Sequence, residues 1–101
     1  MIRNLTPHPV MVAGRTIPAD PAGPARLAVT TVPAGEHEGI PLTRSVYGAP
    51  TGLPDPVEGT MLVVSQLVFN ACPDRQDMCV PAEVVRDADG NITGCRSLGV
   101  R

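Results

Sequence analysis

The sequence predicts a mainly β (α+β) domain in which antiparallel hairpins form a small sheet or partly closed barrel with one short helix. Three observations lead there. Apolar residues occur in short runs bounded by turn residues, as in strands rather than long helices. Twelve prolines and ten glycines, about a fifth of the 101 residues, show no period and lie between those runs, which suits turns rather than disorder. One stretch alone, Thr60 to Pro73, is apolar for long enough to be the middle of a core.

Ile2 to Leu5 reads as a first extended piece, interrupted by Thr6-Pro7-His8-Pro9, whose two prolines fix the backbone and withhold two donors. Val10 to Ala13 continues it, and Gly14-Arg15 turns the chain back through Thr16 and Ile17. Pro18, Pro21, Gly23 and Pro24 then make a stiff loop. Arg26 to Val32 and Ile40 to Tyr47 have the β-rich alternation of a second hairpin, joined by a polar, flexible Pro33 to Gly39. Gly48 to Gly59 crosses the surface as an irregular link.

Met61 to Val64 is a continuous aliphatic run suited to a central strand covered on both faces. Ser65 offers an oxygen to the first free N–H groups of a helix, with Leu67, Val68, Ala71 and Cys72 on one face, and Pro73 stops it after about two turns. Leu62, Val64, Leu67, Val68 and Val84 are expected to be buried together. Cys79 to Arg86 and Asn91 to Leu98 form a last hairpin across Asp87-Ala88-Asp89-Gly90, with Gly94 marking a bulge or a close approach of another backbone. The whole chain, residues 1–101, reads as a single domain.

A net charge of -2 gives no basic face for nucleic acid or an anionic membrane. No apolar run approaches the 18 or so residues that span a bilayer, and Met1 to Ala13 is too broken for a signal peptide. A cytoplasmic protein is the expectation. The three cysteines, Cys72, Cys79 and Cys95, are an odd number without zinc spacing, and are read as reduced core thiols.

The candidate site rests on arginines. Arg44 shares a strand face with Ile40, Leu42 and Val46, and Arg96 shares one with Ile92 and Leu98. A guanidinium in an apolar row needs a partner, and Arg75, in the turn after the helix, is placed to join them in clamping a phosphate or carboxylate. Against this stands the plainer reading that each pairs with Asp74, Asp77, Glu83 or a backbone carbonyl, or reaches into solvent.

Other chemistry has less to stand on. Glu36-His37-Glu38 has metal-ligand residue types, but adjacent side chains in a loop diverge, so no metal or other cofactor is assigned. Asp87 to Asn91 resembles the start of a calcium loop but lacks the glycine and glutamate that such a loop requires, and reads better as a turn. No signature joins His8 to a cysteine nucleophile, and no catalytic residue is assigned.

The segments Asn4-Leu5-Thr6-Pro7-His8, Gly52-Leu53-Pro54, Glu58-Gly59-Thr60, Val64-Ser65, Pro73-Asp74-Arg75, Val85-Arg86-Asp87 and Gly94-Cys95-Arg96-Ser97-Leu98 resemble a family of short uncharacterised proteins found in actinobacteria and bacteriophages. The resemblance implies a phage or mobile-element setting and carries over no activity. By analogy with small phage proteins that sequester nucleotide signals of host defence, it points to a non-enzymatic binder of a small anionic, nucleotide-like ligand. The alternative is a protein-interaction or structural module using an exposed strand edge. A homo-oligomer, with a dimer favoured, is expected, because the last hairpin contains only Pro81 to protect its edge and an open sheet meets that need most simply through a two-fold dimer, whereas a closed barrel would need no partner.

Overall fold

In the computed structural model, which describes all 101 residues, the run Met61–Val63 becomes strand β6. It lies between β1 (Ile2–Asn4) and β7 (Met78–Arg86), as expected of a central strand. Leu62 and Val64 pack against Val68 of helix α1 (Gln66–Ala71), while Val63, on the opposite side of the pleat, is equally buried. Both neighbours run parallel to β6. Parallel strands need a crossover, and α1 supplies the one between β6 and β7. Reading successive strands as hairpins therefore misses this unit, since it assumes that a strand's partner is its neighbour in sequence.

The sheet continues through β8 (Ile92–Gly99), antiparallel to β7, then β2 (Val10–Val12), parallel to β8, and β3 (Arg15–Ile17), antiparallel to β2. The outer strands β1 and β3 come back together. Asp20 N–H donates to the Asn4 carbonyl at 2.8 Å, and Asn4 Nδ2 donates to Ile17 O at 3.0 Å, so the six strands form a nearly closed barrel. Asn4 is the one buried polar residue, and both ends of its amide are occupied. Nδ2 also donates to His8 O at 2.8 Å, and Oδ1 accepts from Thr6 N–H and Thr6 Oγ1 at 3.0 and 2.6 Å. The Asn-Leu-Thr-Pro-His segment is thus the clasp of the barrel seam.

Closure also brings β8 against β2, where a Cβ on Gly94 would lie 2.9 Å from the Met11 carbonyl oxygen. The glycine marks a close approach of backbones. β7 and β8 are each flanked by a further strand, but only at Met78-Cys79 and at Cys95, so the outer edge of the last hairpin is unpaired over most of its length.

The helix begins at the expected cap, with Ser65 Oγ accepting from Val68 N–H at 3.3 Å, and ends before Pro73. Its phase differs from expectation. Val68, Phe69 and Cys72 face the core, whereas Leu67 is 48% exposed. In so short a helix the buried stripe follows the cap, at Ser65 plus three, four and seven, rather than the most apolar residues. Val84 is also exposed, at 46%, because β6 pairs with β7 only at Met78 and Cys79 and no layer covers the far half of β7.

The remaining strands, β4 (Arg26–His37) and β5 (Ile40–Thr51), pair only with each other. The segment expected to be a flexible link is largely strand. Pairing runs through Pro33, shifts register before Glu36, and turns at Glu38-Gly39 with φ of 51° and 79°. Two left-handed residues are what a tight two-residue hairpin requires, and glycine meets that at little cost. The result is an arm projecting from the barrel. The radius of gyration is 16.3 Å, against about 13 Å for a compact chain of this length.

Candidate functional site

The three arginines singled out in the sequence sit on different elements. Arg75 follows α1 and is committed to partners within the chain. Its Nε and Nη2 grip the two carboxylate oxygens of Asp77 at 2.9 and 2.7 Å, and Nη2 also donates to Pro54 O at 3.0 Å. The hydrogen bonds from Arg75 hold the Asp77 carboxyl below the usual carboxylate range. Arg75 therefore ties the incoming loop to the start of β7. Arg44, in β5, and Arg96, in β8, are exposed and have no hydrogen-bond or ion-pair partner. No polar contact brings the three together, and neither the cleft beside the Pro56–Met61 loop nor the one between β2 and the β7–β8 hairpin is lined by any of them.

The other candidates are likewise distributed. Burial pushes the Cys79 thiol up to about 11, and its Sγ lies 3.5 Å from the Leu62 carbonyl, the setting of a small core residue. Cys95 is buried against Met11 O, Cys72 is half-buried at the helix end, and all three thiols are free. At His8 it is the backbone carbonyl that the clasp uses. Asp87 Oδ1 accepts from the N–H groups of Asp89 and Asn91 at 2.9 and 3.0 Å, which makes that segment the turn of the β7–β8 hairpin. No helix is long and apolar enough to cross a membrane.

Two further contacts have no local signal in the sequence. Arg3 pairs with Asp20 through Nε at 2.8 Å, across the barrel seam. Arg101 donates to the carbonyls of Phe69, Cys72 and Arg75 and lies 3.9 Å from the centre of the Phe69 ring. It places a cation at the carbonyl end of the helix, where the macrodipole favours positive charge.

The clefts differ in chemistry. The wider, about 550 Å³, lies between the Pro56–Met61 loop and Gln76-Asp77, and its ionisable lining residues are Glu58 and Asp77, which disfavour an anion. The narrower, about 290 Å³, is mostly apolar and lies where β2 meets β7 and β8. Its volume falls at the lower limit of small-molecule sites, which hold roughly 300–1,000 Å³.

The arm is the largest feature left unexplained by the monomer. One of its faces carries Ile40, Leu42 and Val46 of β5, with Val32 opposite Arg44 between them, and all three β5 aliphatics are exposed. The other presents Val29 opposite Tyr47, also exposed. No side chain between Arg26 and Thr51 makes a hydrogen bond or ion pair. The chain's accessible surface is 6863 Å², whereas a compact chain of its mass, 10.5 kDa, would expose roughly 5,400 Å². The apolar alternation of both strands is the sequence signal for this surface, but by itself it points equally well to a strand packed within the domain. Comparison with protein-family models, curated proteins and solved structures finds no match to the chain.

Proposed function

We propose that this protein is a non-enzymatic binding module of the cytoplasm that works as a homo-oligomer, most simply a dimer, through its projecting hairpin arm. The observation that carries this reading is the pairing of two 12-residue strands that pack on the core at their root, through Leu27, and beyond it leave Val29, Ile40, Leu42, Val46 and Tyr47 exposed. Exposed apolar surface of that extent is characteristic of interaction sites. The setting suggested by the family resemblance is a phage or mobile element. Light scattering at micromolar concentration tests the reading, with a mass of at least twice 10.5 kDa expected. Replacing residues 30–46 by Asn-Gly should reduce that mass to one chain while the barrel still melts cooperatively. A full-length chain of monomer mass overturns the reading.

A second reading has Arg44 and Arg96 in its support, since both guanidinium groups lack a partner. Here the oligomer binds a small anionic, nucleotide-like ligand, as a sponge for a host defence signal would. A ligand at a hundred times its dissociation constant stabilises the folded state by about 2.7 kcal/mol, visible as a thermal shift. Arg44→Met and Arg96→Met should abolish that shift. The absence of any shift across nucleotides and cyclic nucleotides would sink this second reading.

A further inference from the structure

We infer that the apolar cleft between β2 and the β7–β8 hairpin is the receiving site for the arm of a second copy of this chain, in a two-fold exchange; this rests on the arm reading proposed above. The cleft is formed by Val10, Met11, Pro81, Val84, Ile92 and Cys95, of which Met11, Val84 and Ile92 are largely exposed in the single chain. Its 290 Å³ suits inserted aliphatic side chains better than a nucleotide-sized molecule. The face presenting Ile40, Leu42 and Val46 supplies such side chains. Arm and cleft are thus two unpartnered apolar surfaces carried in equal number by every copy, and a two-fold axis would let both arms and both clefts of a pair be filled reciprocally.

The surface area supports a partner of the chain's own kind. The excess of about 1,400 Å² over a compact chain exceeds the roughly 800 Å² that each partner contributes to a standard interface. An exchange engages each copy twice, once by its arm and once by its cleft, and so consumes a surplus of that size. Packing by the face of the arm is favoured over strand addition. Pro33 in β4 and Pro41 and Pro50 in β5 lack the N–H that an added strand would use, so both outer edges of the arm are interrupted.

Charge fits the same arrangement. Glu36 and Glu38, at the arm's tip, have no partner in their own chain, and neither do Arg96, next to Cys95 of the cleft, and Arg15, opposite Val12 in the adjoining strand. An exchanged arm carries the acids of one copy toward the bases of the other.

Complementation between two variants tests the exchange. Leu42→Glu spoils the arm and leaves the cleft, while Ile92→Glu spoils the cleft and leaves the arm; both positions are exposed, and melting curves verify that each variant folds. Each alone is expected to be monomeric by light scattering. An equimolar mixture is expected to regain association, with native mass spectrometry finding the mixed dimer, because one arm and one cleft remain intact between them. An Ile92→Glu protein as oligomeric as the wild type overturns the cleft assignment and leaves the arm reading standing. A Leu42→Glu protein that stays oligomeric, or a monomeric wild type, overturns both.

Discussion

Leu62 and Leu42 are both leucines in strands, each with apolar residues within two positions, yet one is 1% exposed and the other 44%. The barrel around Leu62 holds every residue of both core clusters, both ion pairs and every side-chain hydrogen bond. The arm around Leu42 is held by its backbone ladder and joins the barrel at its root, where Leu27 packs against the core and Ala25 N–H donates to Leu5 O at 2.9 Å. Alternation and β-propensity are enough to make a strand in both places. Only in the barrel does a second layer come down on the strand, and that layer makes the difference between a core residue and an exposed one.

The widest separation between the two regions is expected from their leucines. Leu62→Ala, which opens a cavity in a closed core, should cost about 2–5 kcal/mol. Leu42→Ala should cost under about 0.5 kcal/mol in denaturant titrations run too dilute for association. Equal losses would show that the arm is part of the folding core. In concentrated protein the Leu42→Ala effect should grow, because a partner that binds only the folded state adds stability by mass action.

The clasp should respond next. Asn4→Ala leaves the Ile17 carbonyl and Thr6 N–H without their buried partner, and each such group costs about 1–3 kcal/mol. The variant's amide exchange should quicken across β1 and β3 and stay unchanged along β4 and β5. Acceleration spread evenly through the arm would mean that seam and arm unfold as one.

Acid should act on the barrel alone. The Arg3 hydrogen bond lowers Asp20 and the Arg75 hydrogen bonds lower Asp77, so each carboxylate binds its proton less readily when folded than when unfolded. Their contribution is complete above the unfolded value of about 3.9 and is lost as pH falls through the lower folded values. Melting temperature should therefore drop below about pH 4, less so in Asp77→Asn, and by the same amount with or without the arm. An arm-deleted protein without this acid loss would contradict the assignment.

The smallest effect concerns thiols, none of which lies in the arm. Cys79, pushed up to about 11 by burial, keeps its proton in the folded state where an unfolded thiol, near 8.5, would release it. Its contribution is present below about pH 8.5 and declines above it. Alkylation of native protein at pH 8 should label the half-buried Cys72 first and Cys79 last. Fast labelling of Cys79 would indicate that β6 and β7 part readily.

Much of the local structure was legible in the residues. The aliphatic run at Met61, the cap at Ser65, the stop at Pro73, the paired alternation on either side of Gly39 and the close approach at Gly94 all depend on backbone geometry or on immediate neighbours. Arg75 with Asp77, two positions apart, was legible as well, and was one of the pairings open to that arginine. The candidate site was less so, because Arg44, Arg75 and Arg96 are related only by residue type. Leu67 and Val84 show the limit for the core: both are apolar and correctly placed in their elements, but what covers an element is not written in the element.

The sequence by itself determined where most segments extend, which one coils and where most of the chain turns, since propensity, capping and turn chemistry act over a few residues; that β4 and β5 run on through residues 33–37 and 48–51 depended on their pairing with each other. The parallel placement of β1 and β7 beside β6, the closing of the barrel by Asn4 and the exclusion of the second hairpin from the sheet were decided by tertiary structure alone. Each depends on contacts between residues distant in sequence, where every candidate strand competes for the same few edges. In that competition β4 and β5, paired with each other and broken along their outer edges by proline, were left to project as an arm.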